Sequence, residues 1–227
     1  MKWLMQNKWL SIFLATIVAL SVGVFTIDTK DDTAFYNLGN GTIVQAPPGA
    51  SLFMAEYNRV YILTAGGGWS STDSGCAAAA KYAYDTNDIT LWEAAFDPDS
   101  DESMEWTAWT TPNFGGSSGT VTVKATFVWT AHSAASGNVT WMFAVNSYTN
   151  DDAIELAWAG TQSVCDDYIA DDDVHISSST SAITITGGVS ANEMLQFRAT
   201  RDANHATDDT LAYDAQLLMV IVKFRCK

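Results

Sequence analysis

The stretch VTVKATFVWTAHSAASGNVTWMFAVNSY, residues 121–148, decides the fold class of this chain. Its first run, VTVKATFVWTA (121–131), mixes β-branched and aromatic residues in an alternating pattern that is typical of a strand. Its second run, VTWMFAVNSY (139–148), has the same character, and Ser136-Gly137-Asn138 precedes it. Two such runs joined by a short Gly-Asn turn predict a β-hairpin.

Further strand-like runs follow the same pattern along the chain. The segment AITIT (182–186) runs into two glycines, and MLQFRATRD (194–202) alternates with period two. The apolar, β-branched run AQLLMVIVKF (215–224) predicts a central strand. The exception is GCAAAAKYAY (75–84), where the alanines favour a turn of helix. About eight strands over roughly 170 residues predict an all-β protein, a jelly-roll β-sandwich in preference to a barrel.

The N-terminus differs from the rest of the chain. Lys2 and Lys8 precede an apolar run from Trp9 to Ile27, and acidic residues follow it. A basic start, an apolar stretch and a polar exit are typical of a secretory signal or signal-anchor helix. We therefore divide the chain into a signal- or anchor-like segment (1–28), a connector (29–55) and a jelly-roll domain (56–227). The apolar segment could insert into a membrane or pack inside an assembly.

The charge balance excludes one class of partner. The chain carries 11 Lys and Arg against 26 Asp and Glu, which gives a formal net charge of −15. Nucleic-acid affinity comes mostly from cationic side chains that neutralise phosphates. We therefore expect no binding to DNA or RNA. No dinucleotide or phosphate-binding motif is present, so we also expect no cofactor.

The three cysteines, Cys76, Cys165 and Cys226, do not form a disulfide framework, because their number is odd. The sequence contains no C-x-x-C pair, so nothing in it indicates a zinc site. We expect three small buried side chains. One disulfide and one free thiol is the alternative, and the sequence leaves open whether Cys165 and Cys226 pair.

The acidic segment FDPDSDESMEW (96–106) offers weak calcium candidates. Asp97, Asp99 and Asp101 stand at alternate positions, as carboxylates do in some calcium loops. The EF-hand pattern fails, because Glu102 stands where that loop needs glycine. A solvated acidic loop is the preferred interpretation. No H-x-x-x-H pair is present, and we expect no enzyme.

The segment LTAGGGWSSTDSGC (63–76) places a tryptophan and a cysteine in a glycine-rich loop. It lacks the lysine and the following helix of a phosphate loop. We expect a structural role, in which Trp69 folds over a sandwich edge and Cys76 packs beneath it. The chain has nine tryptophans, and most of them fall in strand-like runs. We expect these to fill the sandwich, with a sugar-binding face as the alternative.

Several motifs, in order, resemble a recurring family of single-jelly-roll structural proteins from tailed phages and marine viruses. The resemblance covers roughly residues 60–225. Its motifs are GGWSSTDSGCA (66–77), TNDITLWEAAFDPDSDESMEWTAW (86–109), GTVTVKATFVWTAHSAASGNVTWMFAV (119–145), DDAIELAWAGTQSVCDDYIADDDVHISSSTSAITI (151–185) and FRATRDANHATDDTLAYDAQLLMVIVKF (197–224).

This resemblance implies a non-enzymatic structural module of a virion: a capsid decoration, head fibre or tail fibre that acts by self-assembly. It also implies a homo-oligomer, a trimer by analogy, together with other structural subunits. The alternative is a secreted or membrane-anchored lectin-like adhesion module, because jelly rolls serve both classes. A third interpretation is a pilus-like filament subunit with the N-terminal helix as its core.

Overall fold

The computed structural model describes residues 35–37, 43–45, 59–111, 114, 121–133, 136–185, 188–205 and 207–226. Two strands, β1 (Phe35–Asn37) and β2 (Ile43–Gln45), form an antiparallel ribbon inside the predicted connector. A boundary between residues 54 and 55 separates this ribbon from the main domain. The predicted N-terminal helix lies outside the described residues. Among the described residues, no helix is long and apolar enough to cross a membrane.

The main domain is built from strands, with one 3₁₀ turn at Ala65–Gly67. In chain order its strands are β3 (Arg59–Thr64), β4 (Trp69–Ser70), β5 (Ala80–Tyr84), β6 (Ile89–Phe96), β7 (Glu102–Trp109), β8 (Val121–Thr130), β9 (Asn138–Tyr148), β10 (Ala159–Asp167), β11 (His175–Ile176), β12 (Ile183–Ile185), β13 (Met194–Arg201) and β14 (Ala215–Cys226).

These strands form two antiparallel sheets. The five-stranded sheet has the order β10-β9-β13-β7-β4. The seven-stranded sheet has the order β11-β8-β14-β6-β5, with β12 also paired to β8 and β3 also paired to β14. The predicted all-β sandwich is confirmed, and its connectivity is consistent with a jelly-roll-like fold. The run 215–224 is a central strand as predicted, because β14 lies between β8 and β3.

The core lies between the two sheets and is rich in aromatic rings. Phe127 of β8 stacks on Trp141 of β9, with 5.3 Å between ring centroids. Phe96 of β6 meets the same indole edge-on at 5.1 Å. Aromatic pairs of this kind add stability beyond the apolar area that they bury. The sandwich is therefore held together by contacts between sheets as well as by hydrogen bonds within them.

The predicted hairpin of residues 121–148 is wrong. β8 belongs to the seven-stranded sheet and β9 to the five-stranded sheet, so the two strands do not pair. Each strand carries large apolar side chains on one of its faces. The two faces are buried against each other, because β8 and β9 lie on opposite sides of the core. β8 ends at Thr130 in one sheet and β9 begins at Asn138 in the other, and the two sheets of a sandwich lie about 10 Å apart.

The alanine-rich segment 75–84 forms no turn of helix. Ala80–Tyr84 is strand β5, paired with β6 from Ala80↔Glu93 to Tyr84↔Ile89. Helix propensity amounts to less than about 1 kcal/mol for each residue, so tertiary pairing overrides it in a short segment. The expectation that the tryptophans fill the sandwich holds for Trp106, Trp129 and Trp141, which are buried. It is wrong for Trp92 and Trp109, which are 47% and 61% exposed.

Candidate functional site

The outward face of the five-stranded sheet carries polar and aromatic side chains. Because side chains alternate along a strand, Trp106 of β7 points into the core and Glu105 points outward. On β13, Phe197 is buried in the core and Arg198 lies on the outward face. The strand register pairs Glu105 with Arg198 on one side and with Trp69 of β4 on the other. These three residues form one row across three strands.

A groove of about 250 Å³ lies at the β4 end of this row, and we call it the edge groove. Its walls carry hydroxyl groups, two carboxylates, one guanidinium group and one indole ring. Its lining residues are Trp69, Ser70, Ser71, Thr72, Asp73, Ser74, Ser103, Glu105 and Arg198. The groove is therefore polar, with an aromatic side chain at its rim.

Backbone hydrogen bonds hold the loop that forms one wall of the edge groove. The N–H of Ser71 donates to the carbonyl of Ser103 at 3.2 Å, and the N–H of Ser103 donates to the carbonyl of Ser74 at 2.6 Å. The Ser70 hydroxyl donates to the carbonyl of Cys76 at 2.6 Å. The loop is thus fixed to β7 at several points, and its serine and threonine side chains face a defined space.

Two glycines let this loop approach the sheet closely. A Cβ atom added to Gly68 would lie 2.6 Å from the Trp106 ring, and one added to Gly75 would lie 2.1 Å from the carbonyl oxygen of Ser71. Both distances are far below van der Waals contact. Gly68 and Gly75 therefore serve close packing, since no larger residue fits at these two positions.

An ion pair forms the floor of the edge groove. The Arg198 Nη2 and Nε atoms donate to Glu105 Oε1 at 2.5 and 3.0 Å. Gln196 Nε2 donates to the second carboxylate oxygen at 2.9 Å. The Arg198 guanidinium also lies over the Trp158 ring, 4.5 Å from its centroid. Charged groups held by several partners keep one orientation, and such preorganisation favours ligand binding.

Trp69 stands at the rim with 45% of its surface exposed. An exposed indole next to hydroxyl and carboxylate groups can stack on an apolar ligand surface while the polar groups form hydrogen bonds. The structure places Cys76 below this loop, where the side chain is buried in the core. Burial raises the pKa of the Cys76 thiol to about 11. Cys76 is therefore a neutral packing residue at physiological pH.

The exposed Cys165 is a free thiol, so it is not part of a disulfide. Its Sγ donates to the carbonyl of Asp208 at 3.2 Å. The side chain of Cys226 lies outside the described residues. The expectation of a buried side chain is therefore wrong for Cys165, because alternation on β10 turns it outward opposite Thr140.

Two of the three calcium candidates, Asp97 and Asp101, accept hydrogen bonds through their carboxylates. Asp97 Oδ1 accepts from the N–H of Asp99 at 2.7 Å. Asp101 Oδ1 accepts from both the backbone N–H and the side-chain amide of Asn204, each at 3.1 Å. Among the described residues, no group of three or more His, Cys, Asp or Glu side chains is placed to hold a metal ion. The calcium hypothesis stays a prediction.

A second polar cluster, on the seven-stranded sheet, has no single sequence motif. His132 Nδ1 lies 2.7 Å from Asp172 Oδ1, and His132 Nε2 lies 2.7 Å from Glu93 Oε2. The imidazole stacks on Tyr82 at 3.8 Å, and the Tyr84 hydroxyl donates to Glu93 at 2.5 Å. These residues come from separate segments, so the sequence gives no signal that they meet. The cluster ties β5 and β6 to neighbouring loops.

Part of the row that lines the edge groove is predictable from the sequence. Alternation in MLQFRATRD places Gln196 and Arg198 opposite the apolar Leu195 and Phe197, which predicts an outward polar pair on β13. The sequence does not show that Glu105, many residues earlier, lies beside them. Strand order decides that neighbour, and strand order is a tertiary property.

The comparisons with known proteins find matches among solved structures only. No protein-family model matches the chain, and no curated protein matches it. A solved structure, described as CBM35 from Cellvibrio japonicus Abf62, matches with a TM-score of 0.39 and 10% sequence identity. The match covers 74% of this chain and 97% of that one. A likeness at this level shows nothing about what the chain binds or does.

Proposed function

We propose that this chain is a non-catalytic carbohydrate-binding module with a jelly-roll fold, and that the edge groove is its binding site. Strand order supports the jelly roll: β6-β14-β8-β12 are neighbours in one sheet, and β7-β13-β9-β10 are neighbours in the other. Among these eight strands the chain changes sheet after every strand except β9, which pairs with β10 in the same sheet. Two four-stranded sheets connected in this way form the two Greek keys of a jelly roll. This fold occurs in both lectins and capsid proteins, so it does not distinguish the two functions, and the proposal is based on the residues of the edge groove.

The observation that carries the proposal is an exposed indole beside a preorganised polar groove. A sugar ring offers an apolar C–H face and a rim of hydroxyl groups that both donate and accept hydrogen bonds. Trp69 matches the apolar face, and the hydroxyl, carboxylate and guanidinium groups of the edge groove match the rim. Ligand sites generally combine apolar surface with a few fixed polar groups in this way.

Charge favours a neutral sugar over an anionic one. Glu105 and Arg198 neutralise each other, so Asp73 leaves the lining with one net negative charge. The whole chain carries a formal net charge of −15. A uronic acid or a sulfated sugar would be repelled by this field. The expected ligand is therefore a neutral oligosaccharide.

The proposal is tested by screening an array of neutral and uronic-acid oligosaccharides, followed by calorimetric titration with the best neutral ligand. We expect Trp69→Ala to weaken binding by about tenfold or more, which corresponds to about 1.4 kcal/mol. Trp92→Ala is the matched control, because Trp92 is exposed to a similar extent, 47%, but lies on the seven-stranded sheet. Absence of binding by the wild-type protein, or equal affinities for both variants, would refute the proposal.

The second candidate is a structural module of a virion, such as a capsid decoration or a fibre. The exposed Val60 and Ile62 on β3 favour it, because apolar side chains on an outer strand suit packing between subunits. Peptide mass spectrometry on density-purified particles, membranes and culture medium separates the candidates. Enrichment in particles supports the virion module. Confinement to membranes or medium supports a secreted or membrane-anchored binding module.

A further inference from the structure

Two lysines face each other on the outward side of the seven-stranded sheet. Lys124 of β8 and Lys223 of β14 are register partners, so their side chains project side by side from adjacent strands. Like charges directly opposite each other destabilise a strand pair. Within the described part of the chain, neither ammonium group forms an ion pair. The two lysines therefore form a local positive charge on a protein that is strongly acidic overall, and no carboxylate of the described residues neutralises it.

Exposed apolar side chains lie beside the lysines. Val60 of β3 is the register partner of Lys223, and Ile62 lies two residues further along the same face. Their exposures are 55% and 63%. β3 pairs with β14 on one side, and no other strand of the described chain pairs with it. We call the set Val60, Ile62, Lys124 and Lys223 the basic face.

The opposite edge of the same sheet has the complementary composition. Ile169 and Val174 are exposed to 78% and 59%, and the exposed Asp171 and Asp173 lie between them in sequence. Ile176, also exposed, extends this surface onto β11, the strand at that edge. We call these five residues the acidic edge. Each of the two surfaces combines apolar side chains with charges, and the charges are of opposite sign.

We infer that the basic face of one copy of this chain binds the acidic edge of a second copy. The lysines of the basic face and the aspartates of the acidic edge carry opposite charges, which favours a second copy of the chain as the partner. The exposed apolar side chains of the two surfaces would be buried in this contact. The apolar N-terminal run from Trp9 to Ile27 is a poorer occupant, because it contains no carboxylate to meet the lysines. The contact joins two different surfaces, so it is head-to-tail. Such contacts form closed rings or open filaments, depending on whether the rotation closes.

This association is independent of carbohydrate binding. The edge groove lies on the five-stranded sheet, and both contact surfaces belong to the seven-stranded sheet or its edge loop. A protein could therefore fail one test and pass the other. Repetition of the module would place several edge grooves on one assembly, which raises avidity for a repeated ligand.

Sedimentation velocity of the full chain at low and high salt is the first test. We expect concentration-dependent association at low ionic strength that weakens at 0.5 M NaCl, because exposed charge pairs are screened by salt. Lys223→Glu should reduce association by at least tenfold. Lys81→Glu is the matched control, since it makes the same charge change at a lysine that lies over Trp92, away from the basic face. Equal association of both variants would overturn the inference.

A mixing experiment tests the pairing of the two surfaces. Lys124→Glu/Lys223→Glu reverses the basic face, and Asp171→Lys/Asp173→Lys reverses the acidic edge. Each double variant alone should stay monomeric, while an equimolar mixture should associate, because each contact in an alternating assembly then joins opposite charges. A mixture that stays monomeric contradicts the head-to-tail contact. Salt-sensitive binding of heparin by a protein that remains monomeric would instead assign the lysines to an anionic polymer.

Discussion

At the scale of single residues, Arg201 is the main polar anchor of the sandwich. Its side chain is fully buried and forms a bidentate ion pair with Asp209, at 3.1 Å from Nε and 2.8 Å from Nη2. It also donates to the carbonyls of Phe96, Leu211 and Tyr213. The guanidinium therefore joins the end of β6, the end of β13 and the segment that leads into β14.

We expect Arg201→Ala to lower the free energy of unfolding by about 3–5 kcal/mol, because it leaves the buried Asp209 carboxylate without its ion-pair partner and three carbonyls without the guanidinium donor. Urea denaturation followed by tryptophan fluorescence measures this change. Lys81→Ala, at an exposed cation, should change stability by less than about 0.5 kcal/mol. A loss below about 1 kcal/mol for Arg201→Ala would show that the buried network contributes little.

Cys76 and Cys165 should differ in reactivity. Only the thiolate reacts with iodoacetamide, and burial both shields the Cys76 thiol and raises its pKa to about 11. In the native protein at pH 8 we expect slow labelling of Cys165 and almost none of Cys76. Denaturation in urea should expose both. Peptide mass spectrometry reads out each site separately, and rapid native labelling of Cys76 would contradict its buried position.

At the scale of elements, the loop between β4 and β5 owes its path to glycine. We expect Gly75→Ala to lower the melting temperature and to weaken ligand binding, because the added Cβ would collide with the backbone oxygen of Ser71 at 2.1 Å. Gly67→Ala is a suitable control, since its Cβ would meet only the Thr64 hydroxyl at 3.3 Å. Thermal scans and calorimetric titration check both effects. Wild-type behaviour of Gly75→Ala would show that the loop rearranges freely.

The pairing of the two strands within residues 121–148 is also decided at the scale of elements. Alternation correctly predicts two strands within residues 121–148, and Phe127 and Trp141 do point into one core. Alternation does not say which neighbour a strand pairs with. Stacking across the core and pairing within a sheet bury the same side chains, so both satisfy the sequence pattern. The strands at 138–148 and 194–201 pair instead, although a long stretch of chain separates them.

At the scale of the whole molecule, acidity sets how stability depends on pH. Burial raises the pKa of Glu102, Asp166, Asp202 and Asp214 above their ordinary values. A carboxyl whose pKa is raised by folding takes up a proton more readily in the folded state than in the unfolded state. Stability therefore increases as the pH falls through the folded pKa, and the increase is complete below the unfolded pKa.

We accordingly expect the melting temperature to be higher near pH 5 than at pH 7, by about 2–4 °C for each kcal/mol gained. Differential scanning calorimetry at constant ionic strength measures it. Asp166→Asn should weaken the dependence of the melting temperature on pH, because it removes one of these carboxyl groups. Its amide oxygen can still accept the hydrogen bond that Trp129 Nε1 donates to Asp166 at 2.7 Å in the wild-type protein. A melting temperature that rises steadily from pH 5 to pH 7 would contradict the sign of this effect.

The sequence by itself determined the all-β class and the position of most long strands, because side-chain alternation depends only on local chain geometry. It also determined the acidic charge and the glycine-rich loop. Only the tertiary structure decided which strands share a sheet, and with that the row of Trp69, Glu105 and Arg198. The physical reason is that strand pairing joins residues that are distant in sequence, and no local pattern encodes which distant neighbour a side chain meets.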